Sequence, residues 1–395
     1  MPKVLRIINR FNLGGPTYNA ALLSKHLAPE FETLLYSGAI DETEGDAKFI
    51  VRNLGIEPLT IPEMRRSLNP ALDYQAYKKI KKIISEFKPD IVHTHASKAG
   101  ALGRLAAYNL GVPVIIHTFH GHVFDNYFSR LTSKFYINIE RYLAKKSTKI
   151  IALSEIQKND LVNKFKICPA EKIEIISLGF DLDKFQENIE LKRKKFRNDF
   201  QIADDEIAIA IIGRLVPIKN HELFLQSIKD ISEKTKKKIR VFIVGDGESK
   251  MDILKKTKEL NLSFTENKSE SKNNLITFTS WIKEIDTVIA GIDIVALTSL
   301  NEGTPVSLIE AQAGNKPIVS TNVGGIENVV IPNETALLSP NNNQKAFAEN
   351  ILKVIGSDNL RQKLSQKGWQ NVKEKFHFSR LISDTKKLYY QLLKQ

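Results

Sequence analysis

Apolar residues come along this chain in short runs, and the stretches between them repeat apolar positions with a helical period. In the first half the runs are Val4 to Ile8, Thr33 to Tyr36, Pro58 to Ile61, Ile91 to Thr94, Val114 to Thr118 and Ile150 to Leu153. In the second half they are Ala208 to Ile212, Arg240 to Val244, Leu275 to Thr277, Ile292 to Leu297, Pro317 to Ser320 and Ala336 to Leu338. Amphipathic patterns such as Tyr74 to Phe87 and Gly100 to Asn109 separate them. Strand alternating with helix throughout is the pattern of α/β folds with parallel sheets. The junction between the halves is expected from Ser177 through the charged stretch Leu191 to Arg197, and the polar stretch Lys258 to Asn274 is expected to be a surface excursion.

Length sharpens this picture. A chain of 395 residues is too long for one compact core and implies two domains. Hydrophobic residues at 42% suffice for two cores, which excludes global disorder. The one cysteine, Cys168, can form neither an internal disulfide nor a cysteine metal cluster, in keeping with a reducing cytoplasm. Residues Met1 to Asn9 read as a start followed by a strand, without the charged, apolar and small-residue regions of a signal peptide. No apolar run approaches the ~20 residues that cross a bilayer.

The net charge of +13 raises two kinds of partner. Nothing resembling a helix-turn-helix, zinc finger or RNA-recognition signature accompanies it, so nucleic acid is not the expected partner. The basic residues are spread through helical stretches, Lys78 to Lys82, Lys134 to Lys146, Lys192 to Arg197 and Lys234 to Arg240. Spread positive charge suits an anionic cytoplasmic leaflet, at about 1 kcal/mol per well-placed basic residue. The segment Tyr127 to Tyr136 mixes aromatic and basic residues; it reads either as a contact with such a surface or as an ordinary amphipathic helix packed on a sheet.

Two loops carry the candidate chemistry. The stretch Asn301-Glu302-Gly303-Thr304-Pro305-Val306-Ser307-Leu308-Ile309-Glu310-Ala311 follows a strand-like run and opens a helix. Off the carboxyl ends of strands is where α/β sheets place ligands. Thr304 is expected as the N-cap and Pro305 at the first helical position, where a missing N–H costs nothing. The amides of such a helix start bind anionic oxygens, and the carboxylates of Glu302 and Glu310 can accept from hydroxyls. Alone, the stretch could equally be a surface helix with a glutamate at each end. Upstream, however, Gly213-Arg214-Leu215-Val216-Pro217-Ile218-Lys219-Asn220 occupies an equivalent strand-to-helix loop. A guanidinium and an ammonium there suit a diphosphate.

In these loops and several further motifs the chain resembles a known family. The ordered series Gly213-Arg214, Lys219-Asn220, Val244-Gly245-Asp246-Gly247, Asp293, Ser299, Glu302-Gly303, Pro305, Glu310-Ala311, Pro317 and Val323-Gly324-Gly325 with Glu327 is similar to the nucleotide-sugar half of retaining glycosyltransferases of family four. Gly14-Gly15 after the first strand, His93-Thr94-His95-Ala96-Ser97-Lys98-Ala99-Gly100 and His117-Thr118-Phe119-His120-Gly121-His122 resemble the amino-terminal half of polysaccharide- and lipopolysaccharide-assembly members. The resemblance covers almost the whole chain, and it is specific for family and fold but weak for the sugar.

The resemblance implies an α/β, GT-B architecture: two Rossmann-like parallel-sheet domains facing a cleft, residues 1–180 and 181–378, with a C-terminal helix of about 379–395 crossing back. It implies a UDP-sugar donor, a lipid-linked or glycan acceptor, transfer of a hexose or N-acetylhexosamine with retained configuration, and a place in the cytoplasm or at the inner face of the plasma membrane. Glu302 would hold the sugar's hydroxyls and Glu310 the ribose. Arg214, Lys219 and the Thr304 helix start would stabilise charge on the departing β-phosphate, so that no obligatory metal or other cofactor is needed. Gly14, Gly15, Gly245, Gly303, Thr304 and Pro305 would complete the donor site, and His120 would hold a sugar hydroxyl through its imidazole or backbone. No protein nucleophile is named. A UDP-sugar 2-epimerase of the same architecture and a non-catalytic nucleotide-sugar-binding protein are the alternatives.

Other patterns in the chain point elsewhere. Five of the eight histidines lie between His93 and His122, and His93 and His95 share one side of a strand. No glutamate or cysteine sits among them at ligand spacing, so zinc is not expected. Asp181-Leu182-Asp183 has the metal-binding form of single-domain glycosyltransferases, but its setting reads as a linker turn and helix cap. A dinucleotide-binding loop is missing its spacing at Asn12-Leu13-Gly14-Gly15 and its third glycine at Gly245-Asp246-Gly247. Two positions depart from the family pattern, which has glycine where Asn315 and Ser280 stand. Asparagine is the next best residue for a left-handed helix end, so the turn at Asn315 is expected to survive.

Overall fold

The computed structural model describes residues 1–12, 14–40, 46–121 and 130–394. They form two compact units, residues 1–180 with 376–395 and residues 181–375.

In the first unit seven strands form one parallel sheet: β1 (Lys3–Arg10), β2 (Glu32–Gly38), β3 (Leu59–Ile61), β4 (Ile91–His95), β5 (Val114–Thr118), β6 (Lys149–Ala152) and β7 (Ile173–Ile175), in the order β3-β2-β1-β4-β5-β6-β7. Every residue of β4 and β5 is buried, as expected of parallel strands covered on both faces. One face packs against the helices Pro70–Phe87 and Ser97–Asn109 through Ile80, Ile84, Ala99 and Ala106. The other receives the last helix, Phe378–Leu393, whose Leu381, Leu388, Tyr389 and Leu392 join Val4, Leu23, Phe31 and Ile91 in one apolar cluster. Arg380 fixes the start of that helix by donating to the carbonyls of Ser177 and Leu178 at 2.7 and 2.8 Å.

The second unit repeats the arrangement with β8 (Ile207–Ile212), β9 (Ile239–Val244), β10 (Phe264–Thr265), β11 (Ile276–Ser280), β12 (Ile294–Leu297), β13 (Ile318–Thr321) and β14 (Ala336–Ser339), in the order β10-β11-β9-β8-β12-β13-β14. Each sheet is parallel throughout.

Two sequence expectations are corrected, and one strand was missed. Leu191 to Arg197 is no linker but part of the helix Ile189–Asp199, docked within the second unit. Its charges meet partners there: Lys192 with Asp286 at 2.9 Å, Arg193 with Asp293 at 2.8 Å and Arg197 with Asp293 at 3.3 Å. The stretch Lys258 to Asn274 is not all surface excursion, since it contributes the edge strand β10 and a buried Ser271 whose hydroxyl lies 2.6 Å from Arg240 Nη2. The strand β7 was not anticipated, because Ile173–Ile175 is a three-residue edge strand with an exposed glutamate at its centre.

Candidate functional site

In each sheet the strand order reverses beside the first strand, between β1 and β4 and between β8 and β12. Loops leaving the carboxyl ends of strands at such a point part in opposite directions and open a crevice, the general ligand position of open α/β sheets.

In the second unit the loops after β8, β9, β12 and β13 are bound into one frame. The Leu215 amide donates to the Asp246 carbonyl at 3.0 Å, the Leu300 amide to the Ile218 carbonyl at 2.8 Å and the Gly325 amide to the Glu302 carbonyl at 2.8 Å. Thr298 Oγ1 donates to the carbonyls of Lys219 and Asn220 at 2.9 and 3.0 Å. Two glycines permit the closest approaches. A Cβ on Gly245 would stand 1.9 Å from the Gly213 carbonyl oxygen, and one on Gly325 would stand 1.8 Å from that of Gly303. No other residue fits either place without moving a loop.

This frame brings Lys219 and Glu302 together. Lys219 Nζ lies 2.5 Å from Glu302 Oε1, and Ser299 Oγ donates to the same oxygen at 2.6 Å. Their side chains are 18% and 11% exposed, so the pair is shielded yet reachable. Asn220, in the left-handed region at φ 49°, caps the next helix by accepting from the Leu223 amide at 3.4 Å, which sets the direction in which Lys219 leaves the loop.

Arg214 is not drawn into this cluster. Its side chain is 67% exposed and its guanidinium lies 3.4 Å from Glu248. Thr304 is not the N-cap: the helix runs Val306–Ala313 with Pro305 in the capping position at φ −72°, ψ 100°. The spacing misled by one residue, because Pro305 adopts the extended conformation that precedes a helix instead of entering its first turn. The Pro305 carbonyl accepts from the amides of Leu308 and Ile309 at 3.1 and 3.3 Å, and no side chain of the capping residue accepts from the amides of the first turn. Gly303 is exposed, with open space around the position of a Cβ. Glu310 lies in the second turn, where burial pushes its carboxyl up to about 7 against the pull of Lys184. Asn315 and Ser280 both occupy the left-handed region at φ 53°. Ser280 is stitched there, its hydroxyl donating to Asp246 at 3.1 Å and its carbonyl accepting from Gly245 at 3.0 Å.

In the first unit Gly14, at φ 153°, caps the helix Gly15–His26, and a Cβ on Gly15 would stand 3.0 Å from Leu178 Cδ1. His120 follows β5, and its Nε2 lies 2.9 Å from Nδ1 of the buried His95. His117 is a core residue, 2.9 Å from Thr94 Oγ1 and edge-on to Phe119. His122 lies outside the described residues. Composition and spacing did not single out Arg6 or Tyr389 and gave His95 no role in the site, although an arginine inside the otherwise apolar run Val4 to Ile8 was a usable signal. Among the described residues no group of histidine, cysteine, aspartate or glutamate side chains is arranged to hold a metal ion.

Known proteins resemble this chain in sequence and in fold. Residues 192–370 match the family described as glycosyl transferases group 1, and residues 13–184 match glycosyltransferase family 4. An Escherichia coli protein, UDP-Gal:alpha-D-GlcNAc-diphosphoundecaprenol alpha-1,3-galactosyltransferase, is 30% identical over 84% of this chain and 83% of its own length. The capsular polysaccharide biosynthesis glycosyltransferase CapM of Staphylococcus aureus is 26% identical over 84% of each chain. Among solved structures, HepE of Anabaena in complex with UDP superposes with a TM-score of 0.81 at 17% identity, covering 98% of this chain and 100% of its own. A glycosyltransferase from Rickettsia africae gives 0.80 at 21% identity, covering 100% and 99%. At those identities the structural likeness establishes the GT-B fold.

Proposed function

The chain belongs to glycosyltransferase family four, and on that premise we propose that it moves a hexose or N-acetylhexosamine from a UDP-sugar to a lipid-linked or glycan acceptor in cell-surface polysaccharide or lipopolysaccharide assembly, with retention of configuration. The observation that carries the proposal is the shielded contact of Lys219 with Glu302 at the sheet's switch point. In a nucleotide sugar the β-phosphate and the sugar ring are bonded neighbours. A cation for the phosphate and a carboxylate for the ring hydroxyls must therefore lie side by side. The named relatives support the choice of UDP and of a lipid-linked acceptor.

The reaction follows from where charge develops. The bond between the anomeric carbon and the β-phosphate oxygen breaks, leaving negative charge on the phosphate and positive character on the carbon. Lys219, Arg214 and the uncapped amides at Val306 stabilise the phosphate, which makes a divalent metal dispensable. Glu302 holds the ring hydroxyls, Glu310 the ribose, and His120 a further sugar hydroxyl. The acceptor oxygen bonds to the anomeric carbon on the face the phosphate leaves, and its proton passes to that phosphate.

No helix among the described residues is long and apolar enough to cross a membrane. The helix Arg130–Lys145 exposes Leu131, Phe135 and Tyr142 between basic residues, a surface suited to peripheral contact with an anionic cytoplasmic leaflet that carries the acceptor.

The test is incubation with a set of UDP-sugars, with and without polyprenyl-diphosphate-linked sugars, in the presence of a chelator. UDP release that requires acceptor, with the product's anomeric configuration equal to the donor's, is the expected result. A new UDP-sugar formed without acceptor would mean epimerisation. UDP binding with no donor ever consumed would mean a binding protein.

A further inference from the structure

The first unit buries a polar chain that nothing in the proposed chemistry explains. Arg6 on β1, His93 and His95 on β4 and Tyr389 on the last helix are all fully buried. Arg6 Nη1 lies 2.9 Å from His93 Nδ1, 3.4 Å from His95 Nε2 and 3.2 Å from Tyr389 Oη. His93 and His95 stack with ring centroids 4.3 Å apart, and His95 and His120 stack at 5.2 Å. His95 Nδ1 is 2.9 Å from His120 Nε2.

The direction of these hydrogen bonds is forced by chemistry. A guanidinium has donors only, and a neutral imidazole has one donor and one acceptor nitrogen. His95 Nε2 faces Arg6 and must accept, which puts the His95 proton on Nδ1. That proton points to His120 Nε2, which must accept in turn, and the His120 proton then sits on Nδ1. This last atom is buried and has no hydrogen-bond partner among the described residues. His93 obeys the same rule, the single lone pair of its Nδ1 facing donors only. It accepts the Tyr389 hydroxyl proton at 2.7 Å, which leaves the two hydrogens of Arg6 Nη1 for Tyr389 Oη and His95 Nε2, and its Nε2–H donates to Thr118 Oγ1 at 2.7 Å. All the imidazoles are held neutral. Burial pulls His93 and His95 well below the usual histidine range, the nearby charge of Arg6 adding to it, and burial draws His120 down as well.

We propose that Arg6 and His95 are positioning residues that fix the tautomer of His120, so that its unpartnered Nδ1–H is the donor offered to an oxygen of the nucleotide sugar. The identity of that oxygen rests on the function proposed above; the tautomer does not. Arg6 acts at two removes from the substrate, as the fixed donor from which the whole proton order is set. A histidine so locked offers a donor at every pH where the fold is intact. One free to exchange tautomers would present an acceptor part of the time.

The experiment is a long-range ¹H–¹⁵N correlation on protein labelled at histidine nitrogens, with the His120 signals identified by their loss in His120→Gln. A proton on Nδ1 of His120, and an unprotonated Nε2, is the expected result. A proton on Nε2, or on both nitrogens at neutral pH, overturns the proposal. Kinetics then test the relay in the folded enzyme. His95→Leu removes the donor to His120, and kcat falls by about tenfold to a hundredfold, the scale on which displaced positioning groups act. UDP affinity is unchanged. His95→Asn, whose amide nitrogen can take the place of Nδ1–H, recovers most of the rate. Equal rates for the Asn and Leu variants would show that His95 matters only as packing. Should no nucleotide sugar be consumed at all, the functional assignment fails while the tautomer measurement still decides the positioning role.

Discussion

The two halves of this chain are the same sheet used for opposite electrostatics. Both are parallel, both place their first strand centrally, and both change direction beside it. At that point the second unit holds a shielded but reachable ion pair, Lys219 with Glu302, on loops that glycines bring into backbone contact. The first unit holds neutral imidazoles ordered by one fully buried arginine. The difference teaches how each half can act on a charged ligand. In the second unit the formal charges stay near solvent, whereas in the first the cost of burying a charge falls on Arg6 and the imidazole offered to a ligand is itself neutral.

The sharpest way to break the contrast is at Glu302. Glu302→Gln keeps the acceptor for Lys219 and Ser299 but removes the charge that a developing positive sugar needs. We expect kcat to fall by about 10²-fold or more while UDP affinity holds, as for other groups that act on transition-state charge. Steady-state turnover beside calorimetric UDP titration reads both quantities, and undiminished turnover would take Glu302 out of the site.

The two cations should not be equal. Lys219→Ala should cost about 1.5–3 kcal/mol of UDP affinity, the value of a hydrogen bond to a charged group. Arg214→Ala should cost less, because its solvated side chain must leave Glu248 and become ordered before it can help. Titration of the single variants with UDP distinguishes them; an Arg214 effect larger than the Lys219 effect would shift the diphosphate toward the β8–β9 side.

Gly325→Ala probes the frame itself. With φ of −86° the added methyl is not strained by the backbone, but it would lie 1.8 Å from the Gly303 carbonyl oxygen. The loop bearing Glu302 has to give, at about 1–3 kcal/mol. At about 2–4 °C per kcal/mol for a unit of this size, the melting temperature should drop measurably, and turnover with it.

The same contrast explains what the sequence disclosed. The second unit's site is built from contiguous loops, so Gly213 to Asn220 and Asn301 to Ala311 could be read directly, and their strand-to-helix setting placed them at the sheet's carboxyl end. The first unit's chain draws one residue each from β1, the loop after β5 and the final helix and two from β4, and Arg6 and Tyr389 stand 383 residues apart in sequence. No local spacing marks such a network. Charge patterning misled at Leu191 to Arg197, because a run of lysines and arginines looks solvated until Asp286 and Asp293, about a hundred residues on, supply the partners. The strands β7 and β10 were too short for period-two alternation to register.

The smallest effect expected is a pH dependence that belongs to Glu310. Burial raises its carboxyl in the folded chain to about 7 from an ordinary value of 4.5. Between those values the folded state holds the proton and the unfolded state does not, so this group contributes stability at low pH that declines as pH rises toward 7. Ligand binding runs the other way. A ribose hydroxyl donates more strongly to a carboxylate than to a carboxylic acid, so UDP affinity should strengthen as pH climbs through about 7. The β-phosphate of UDP titrates near ~6 on the pattern of phosphate monoesters and tightens binding over part of the same range. Glu310→Gln separates the two: its UDP affinity should keep the phosphate's rise and lose the part centred near 7. Parallel pH profiles for the native protein and Glu310→Gln would mean that Glu310 is a half-buried acid of the helix with no ligand to hold.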